Sequence, residues 1–230
     1  VVGLVVAVPL GVLHVAVVEH AVEPIQPAVG PPAQRIRDRV RVLEAEAREL
    51  NLGFFSRMIR GTPWVRVKLA ASLDGKTALD NGLSQWITSP AARADGHAWR
   101  ARASAVLTGI GTVRDDDPLL DVRLVETPRQ PHLVIVDSRL ETSPGARLFA
   151  PRRQVFIYTA MDDPARRAAL EARGATVIVL PDAARSRVDL PALLRDLARR
   201  EVNELRWLDR RRRIRFTRAM SSGPPAGLIR

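Results

Sequence analysis

The residues suited to chemistry in this chain are few. Gly109-Ile-Gly111-Thr112 follows a short apolar run, so the backbone there can approach a ligand closely and Thr112 offers a hydroxyl. A plain tight turn explains the same residues equally well. A dinucleotide fingerprint needs a third glycine where Arg114 stands, and a phosphate loop needs a Lys-Ser/Thr pair that is absent. Arg100 and Arg123 flank the turn, and paired guanidiniums suit bidentate contact with phosphate. With 36 basic residues, all arginine except Lys68 and Lys76, no single arginine stands out on its own. Asp115-Asp116-Asp117 before Pro118 reads as a loop whose carboxylates cap amides, with a metal site as the weaker reading. His14, His20, His97 and His132 lack ligand spacing, and His97 beside Trp99 reads as packed or solvated. No serine sits in a glycine elbow. The absence of cysteine excludes disulfides, a thiol nucleophile and any thiolate zinc site.

The elements that must position these residues alternate between two periods. Trp64 to Ala70 carries apolar residues at every second place and reads as a strand. Ala105–Thr108, Leu133–Val136, Val155–Tyr158 and Val177–Leu180 are short apolar runs typical of strands buried on both faces. Between them, Ser89-Pro90 opens a helix to about Ala103, Pro164 to Arg173 forms a second closed by Gly174, and Asp189 to Arg200 a third. An earlier helix, Leu43–Leu50, is expected to stop at Asn51 and Gly53. Strand alternating with helix implies an α/β fold with a mainly parallel sheet flanked by helices and ligands at the strands' carboxyl ends.

The net charge of +11 invites a nucleic-acid reading, but its distribution weakens it. Residues 206–230 hold eight basic groups and one acidic group, so most of the excess lies in an Arg-rich stretch that reads as a disordered tail. Aromatic residues at 4% leave little for base stacking. Val1 to Val18 is apolar but broken by Gly3, Pro9, Gly11 and His14. It lacks basic flanks, aromatic anchors and a cleavage pattern, so neither a membrane role nor a leader is expected. A breaker cluster at Pro24–Pro32 reads as linker. The expected layout is therefore an unassigned extension over 1–39, a domain over 40–205 and a basic tail over 206–230, in a cytoplasmic protein.

Taken in order, four segments are far more specific than any one of them. They are Leu69-Ala-Ala-Ser-Leu-Asp-Gly-Lys-Thr77, Ser84-Gln-Trp-Ile-Thr-Ser89, Leu107-Thr-Gly-Ile-Gly-Thr112 with Asp116-Asp-Pro-Leu119, and Val134-Ile-Val-Asp-Ser138. The set resembles the C-terminal reductase domain of the bifunctional riboflavin-biosynthesis deaminase/reductase, from about Val40 to Leu205. The resemblance implies a dihydrofolate-reductase-like fold and NADPH-dependent reduction of 5-amino-6-(5-phosphoribosylamino)uracil to its ribityl form. It implies cofactor contacts at Ala70, Trp86, Thr112, Asp116 and Ser138, and substrate contacts at Ser84, Arg100, Leu120 and Arg123. The two arginines suit the ribose phosphate. Asp74 and Lys76 are the candidates for the proton that accompanies hydride addition. The implied partners are a small phosphoribosylaminopyrimidine and, as is common in the family, a second copy of the chain; no metal is implied in this half.

Two departures bear on activity. The family's deaminase half carries a His-Ala-Glu motif and paired cysteines, and this chain has neither. After Val202-Asn-Glu-Leu205 the family continues into a strand ending in a substrate-binding Glu, then a Gly-rich loop for the cofactor phosphates and further strands. Here Leu208 falls where the Glu would be, and Arg210-Arg-Arg-Arg213 follows, so the C-terminal strands are expected to be missing. Both ends read as out-of-frame translation of a high-GC gene, which its other reading frames would test. The alternatives are a catalytically inactive remnant of the reductase and, more weakly, nucleic-acid binding through the tail.

Overall fold

Short runs of β-branched and aliphatic residues, each followed by a capped helix, fold into an α/β unit. A computed structural model describes residues 5–7, 44–68, 70 and 88–208. Its strands are β1 (Val5–Ala7), β2 (Trp64–Lys68), β3 (Ala105–Gly109), β4 (His132–Val136), β5 (Val155–Thr159), β6 (Ala175–Val179) and β7 (Glu204–Leu208). They form one sheet in the order β1-β2-β7-β3-β4-β5-β6. Every pair from β2 to β6 is parallel, and β1 alone runs antiparallel, against β2. The mainly parallel sheet flanked by helices is the architecture expected from the sequence.

The sheet has two buried faces, and alternate residues of each strand supply them. Val106, Leu133, Ile135, Val155 and Ile157 face one core with Val113 of α4 (Ile110–Asp116) and Leu170 of α5 (Pro164–Glu171). Ala105, Leu107, Val134, Phe156 and Tyr158 face the other, under Leu193, Leu194 and Leu197 of α6 (Leu190–Arg199). Strand order explains the split. From β2 to β6 the chain steps steadily across the sheet, and from β6 it turns back to insert β7, so right-handed crossovers put α6 opposite the other helices. α3 (Pro90–Arg102) covers the first face, with Trp99 against Arg66 of β2. The Ser89 hydroxyl accepts the Ala92 amide at 3.2 Å, and the Asp163 and Asp189 carboxylates cap α5 and α6 in the same way.

Four expectations need correction. The basic tail does not begin at Arg206: residues 206–208 complete β7, with Arg206 opposite Arg66 on one side and Val106 on the other. Leu205 and Arg206 are buried, so the sheet takes these residues despite the charge. The acidic triplet is not wholly a loop, because Asp115 and Asp116 lie in α4. The first helix stops at Asn51 as expected, but Gly53 lies inside a second helix instead of closing the first. Residues 44–50 are helical (α1), helix resumes at α2 (Leu52–Phe55), and a π-helical turn over Ser56–Arg60 ends at Gly61, whose φ is 65°. Gly53 serves packing instead: a Cβ there would lie 2.6 Å from Glu204 Cγ and 2.9 Å from the Asn203 carbonyl oxygen. Finally, the extension ahead of residue 40 is not wholly outside the domain, since Val5–Ala7 form an edge strand. Residues 209–230 and most of 1–39 lie outside the described residues. Among the described residues no helix is long and apolar enough to cross a membrane.

Candidate active site

The cofactor candidates that the structure describes follow consecutive strands. Ala70 lies two residues past β2, Thr112 in the first turn of α4 after β3, and Ser138 two residues past β4, with Asp116 at the end of α4. A parallel sheet places all these strand ends along one edge. Nothing lies within 4 Å of a Cβ built at Gly109 or at Gly111, so a ligand can approach that backbone. Buried Asp137 orders the neighbouring turn: its carboxylate accepts the Glu141 amide at 2.9 Å and the Thr142 amide and hydroxyl at 2.7 Å. Ser138 is partly engaged, since its Oγ accepts the Val188 amide at 3.2 Å. Trp86, Ser84, Asp74 and Lys76 lie outside the described residues.

The substrate candidates form a second group, between α3 and the segment after α4. Arg100, in the last turn of α3, donates from Nη1 to the Asp121 carbonyl. Arg123 donates from Nη1 to the Asp121 carboxylate at 2.6 Å, and its side chain stays 53% exposed. The two guanidiniums therefore converge on Asp121, with donors of Arg123 left facing solvent. Leu120, between them in sequence, is buried with φ 53°, a left-handed backbone that a leucine adopts only under constraint.

His97 stands at the centre of this group. Its Nδ1 accepts the Arg123 amide at 3.2 Å, and burial, followed by the Arg100 and Arg123 charges, pushes its pKa down to about 4. It is thus a neutral acceptor at physiological pH. The charges that act on it are those of Arg100, Arg123 and Arg206 and of one carboxylate, Asp121. Burial, and then neighbouring cations, lowers Arg100 and Arg206 to about 10 each, so both remain charged at neutral pH.

Around the named candidates Arg100, Leu120 and Arg123 the structure places His97, expected to be packed or solvated and in fact buried, with Asp121, Gln130 and Arg153, which the sequence did not single out. The acidic triplet divides its roles. Asp117 accepts the Arg147 amide at 2.9 Å, and Asp115 pairs with Arg114 at 3.4 Å. Among the described residues no group of three or more His, Asp or Glu side chains is arranged for a metal.

A six-stranded parallel sheet with helices on both faces is an α/β fold of the dihydrofolate-reductase-like class. Residues 63–208 match the RibD C-terminal domain model, and the chain belongs to that family. It is 36% identical over 191 residues to the riboflavin biosynthesis protein RibD of Haemophilus influenzae, an alignment covering 76% of this chain and 48% of that protein. The Escherichia coli protein of the same name is 34% identical over 180 residues, covering 73% and 47%. Among solved structures, the Thermotoga maritima diaminohydroxyphosphoribosylaminopyrimidine deaminase/5-amino-6-(5-phosphoribosylamino)uracil reductase superposes with a TM-score of 0.61 at 30% identity, covering 78% of this chain and 50% of that one. Acinetobacter baumannii RibD gives 0.61 at 31% identity, covering 76% and 49%. The chain spans about half the length of the curated relatives it matches.

Proposed function

We propose that this chain carries the pyrimidine reductase step of riboflavin biosynthesis, reducing 5-amino-6-(5-phosphoribosylamino)uracil to its ribityl form with NADPH. The observation that carries the reading is the convergence of Arg100 and Arg123 on Asp121, within a domain of the reductase family. The exposed donors of Arg123 and the local excess of positive charge bind the ribose phosphate. Leu120, with its side chain in the core, contributes its backbone to the segment beside it. Ala70, Thr112, Asp116 and Ser138 orient NADPH along the strand edge, with Trp86 completing that set and Ser84 the substrate set. When bound, NADPH supplies the hydride, and Asp74 or Lys76 supplies the accompanying proton. Catalysis on this scheme is mainly positioning, so it requires no nucleophile. The working compartment is the cytoplasm and the assembly a homo-oligomer.

Calorimetric titration with NADPH, followed by consumption of NADPH in the presence of the aminopyrimidine, tests the reading. Saturable binding and substrate-dependent oxidation are expected. No saturable binding at millimolar NADPH would overturn it. One observation favours a second reading, an inactive remnant with the same fold. Leu208, at the position of the family's substrate-binding Glu, closes β7, and its carbonyl accepts the Thr108 hydroxyl at 3.1 Å. NADPH binding without turnover would select the remnant.

A further inference from the structure

We propose that Arg153 is a positioning residue that sets the conformation of the substrate-contacting segment Leu119–Arg123. The proposal rests on the reductase reading above and extends it to a residue outside the contact set. Leu119–Arg123 belongs to no strand or helix, yet its polar backbone groups are held one after another by side chains. Arg153, two residues before β5, donates from Nη1 to the Leu120 carbonyl at 2.7 Å and from Nη2 to the Leu119 carbonyl. The same Nη2 reaches the Leu148 carbonyl at 3.3 Å, anchoring the guanidinium to the short helical turn Arg147–Phe149. Arg100 takes the next carbonyl, that of Asp121. Gln130 holds both sides of Val122, accepting its amide at 2.7 Å and donating to its carbonyl at 3.0 Å. His97 accepts the Arg123 amide.

Four consecutive carbonyls, 119 to 122, thus end on side-chain donors. The position that most needs external support is Leu120, because its left-handed backbone costs on the order of 1 kcal/mol. Only the planar fork of a guanidinium spans two adjacent carbonyls with fixed geometry; an ammonium is a point charge and cannot hold both in register. Arg153 therefore fixes the turn that places the Leu120 side chain inward and carries the chain on to Arg123. Its charge also lies beside Asp121 and Arg100, within the same electrostatic group.

Three measurements on the full chain and its Arg153→Met and Arg153→Lys variants test this. They are the melting temperature, hydrogen exchange at the Val122 and Arg123 amides, and ribose 5-phosphate affinity by calorimetry. Arg153→Met is expected to weaken ribose 5-phosphate binding about tenfold or more and to speed exchange at both amides. Arg153→Lys, which keeps the charge, is expected to recover the fold's stability but only part of the affinity. Affinity within twofold of the parent in Arg153→Met, with exchange accelerated, would make Arg153 merely structural and overturn the proposal. Unchanged exchange would overturn it as well. A parent chain that does not bind ribose 5-phosphate overturns the phosphate-recognition reading together with the positioning role. Exchange that still accelerates in Arg153→Met would mark that failure as one of function rather than of the clamp.

Discussion

The imidazole Nδ1 of His97 accepts the backbone amide of Arg123 at 3.2 Å, joining the middle of a helix to the residue that presents a guanidinium to solvent. The bond requires an unprotonated Nδ1, and burial first, then the neighbouring arginines, supply that condition. A buried histidine among arginines is ordinarily a liability. Here the same arginines that repel a proton keep the acceptor available.

A pH dependence follows. The folded chain holds His97 neutral down to about pH 4, whereas the unfolded chain protonates it near its ordinary value of 6.5. Between those values the unfolded state binds more protons, so stability rises with pH across that window and is fully present above it. The melting temperature is expected to fall as pH drops from 6.5 towards 4. His97→Asn keeps an acceptor without titrating and should flatten most of the slope. His132, lowered by burial and then by Arg129, accounts for a residue of the same sign. An unaltered slope in His97→Asn would refute the assignment.

Arg206 should be a net cost to stability. It is 3% exposed in the centre of the sheet, its Nε has no hydrogen-bond partner, and Arg100 and Arg66 stand near it with Asp95 as the opposing charge. Replacement by methionine keeps much of the volume and removes the buried charge. Urea unfolding of Arg206→Met is expected to show a gain of about 1–3 kcal/mol. A loss would mean that the charge is compensated.

Gly53 should not tolerate a methyl group, although alanine is the better helix former. The added Cβ would meet the Glu204 and Asn203 positions at separations that neighbouring atoms must yield to. Gly53→Ala is expected to destabilise by about 1–3 kcal/mol in urea unfolding. It should also weaken the Arg57 Nε donation to Asn203 Oδ1, now 2.7 Å. A neutral result would show that α2 shifts freely.

Tyr158 ties the second core to α6. Its hydroxyl donates to Asp196 at 2.7 Å, and Asp196 also accepts from Arg199 and Arg200. Burial first, then the bond to Asp196, pushes the phenol pKa upward. Tyr158→Phe is expected to cost about 1–2 kcal/mol, read from urea midpoints. An unchanged midpoint would show that the Asp196 pairs with arginine carry the site alone.

Most of the sheet was legible because its central strands are buried on both faces and must be continuous apolar runs. Three helix starts were legible from a Ser or Asp cap with a proline at the first or second helical position, at Ser89, Asp163 and Asp189. β7 was not, because Arg206 interrupts the run and the next stretch is nearly all arginine. The period-two pair Leu205 and Trp207, both facing the α6 core, was the available signal. α4 escaped because Gly109 and Gly111 argue against a helix. In the site, Arg100 and Arg123 stood out as a guanidinium pair flanking the turn, and Leu120 came through the family resemblance. Arg153, Gln130 and His97 act on backbone carbonyls and amides, and such bonds leave no spacing rule in a sequence.

The late arrival of β7 also governs how the molecule is made. Its neighbours β2 and β3 both precede it in the chain, and the Arg57–Asn203 bond beside it closes a separation of 146 residues. While the chain is being synthesised, those two strands expose unpaired edges with a slot between them. Only the last described strand fills the slot, so the sheet is completed by a long-range closure instead of growing outward from a hairpin. Folding should therefore be slow and vulnerable in the interval before residue 204 emerges, when the open edges invite pairing with other chains.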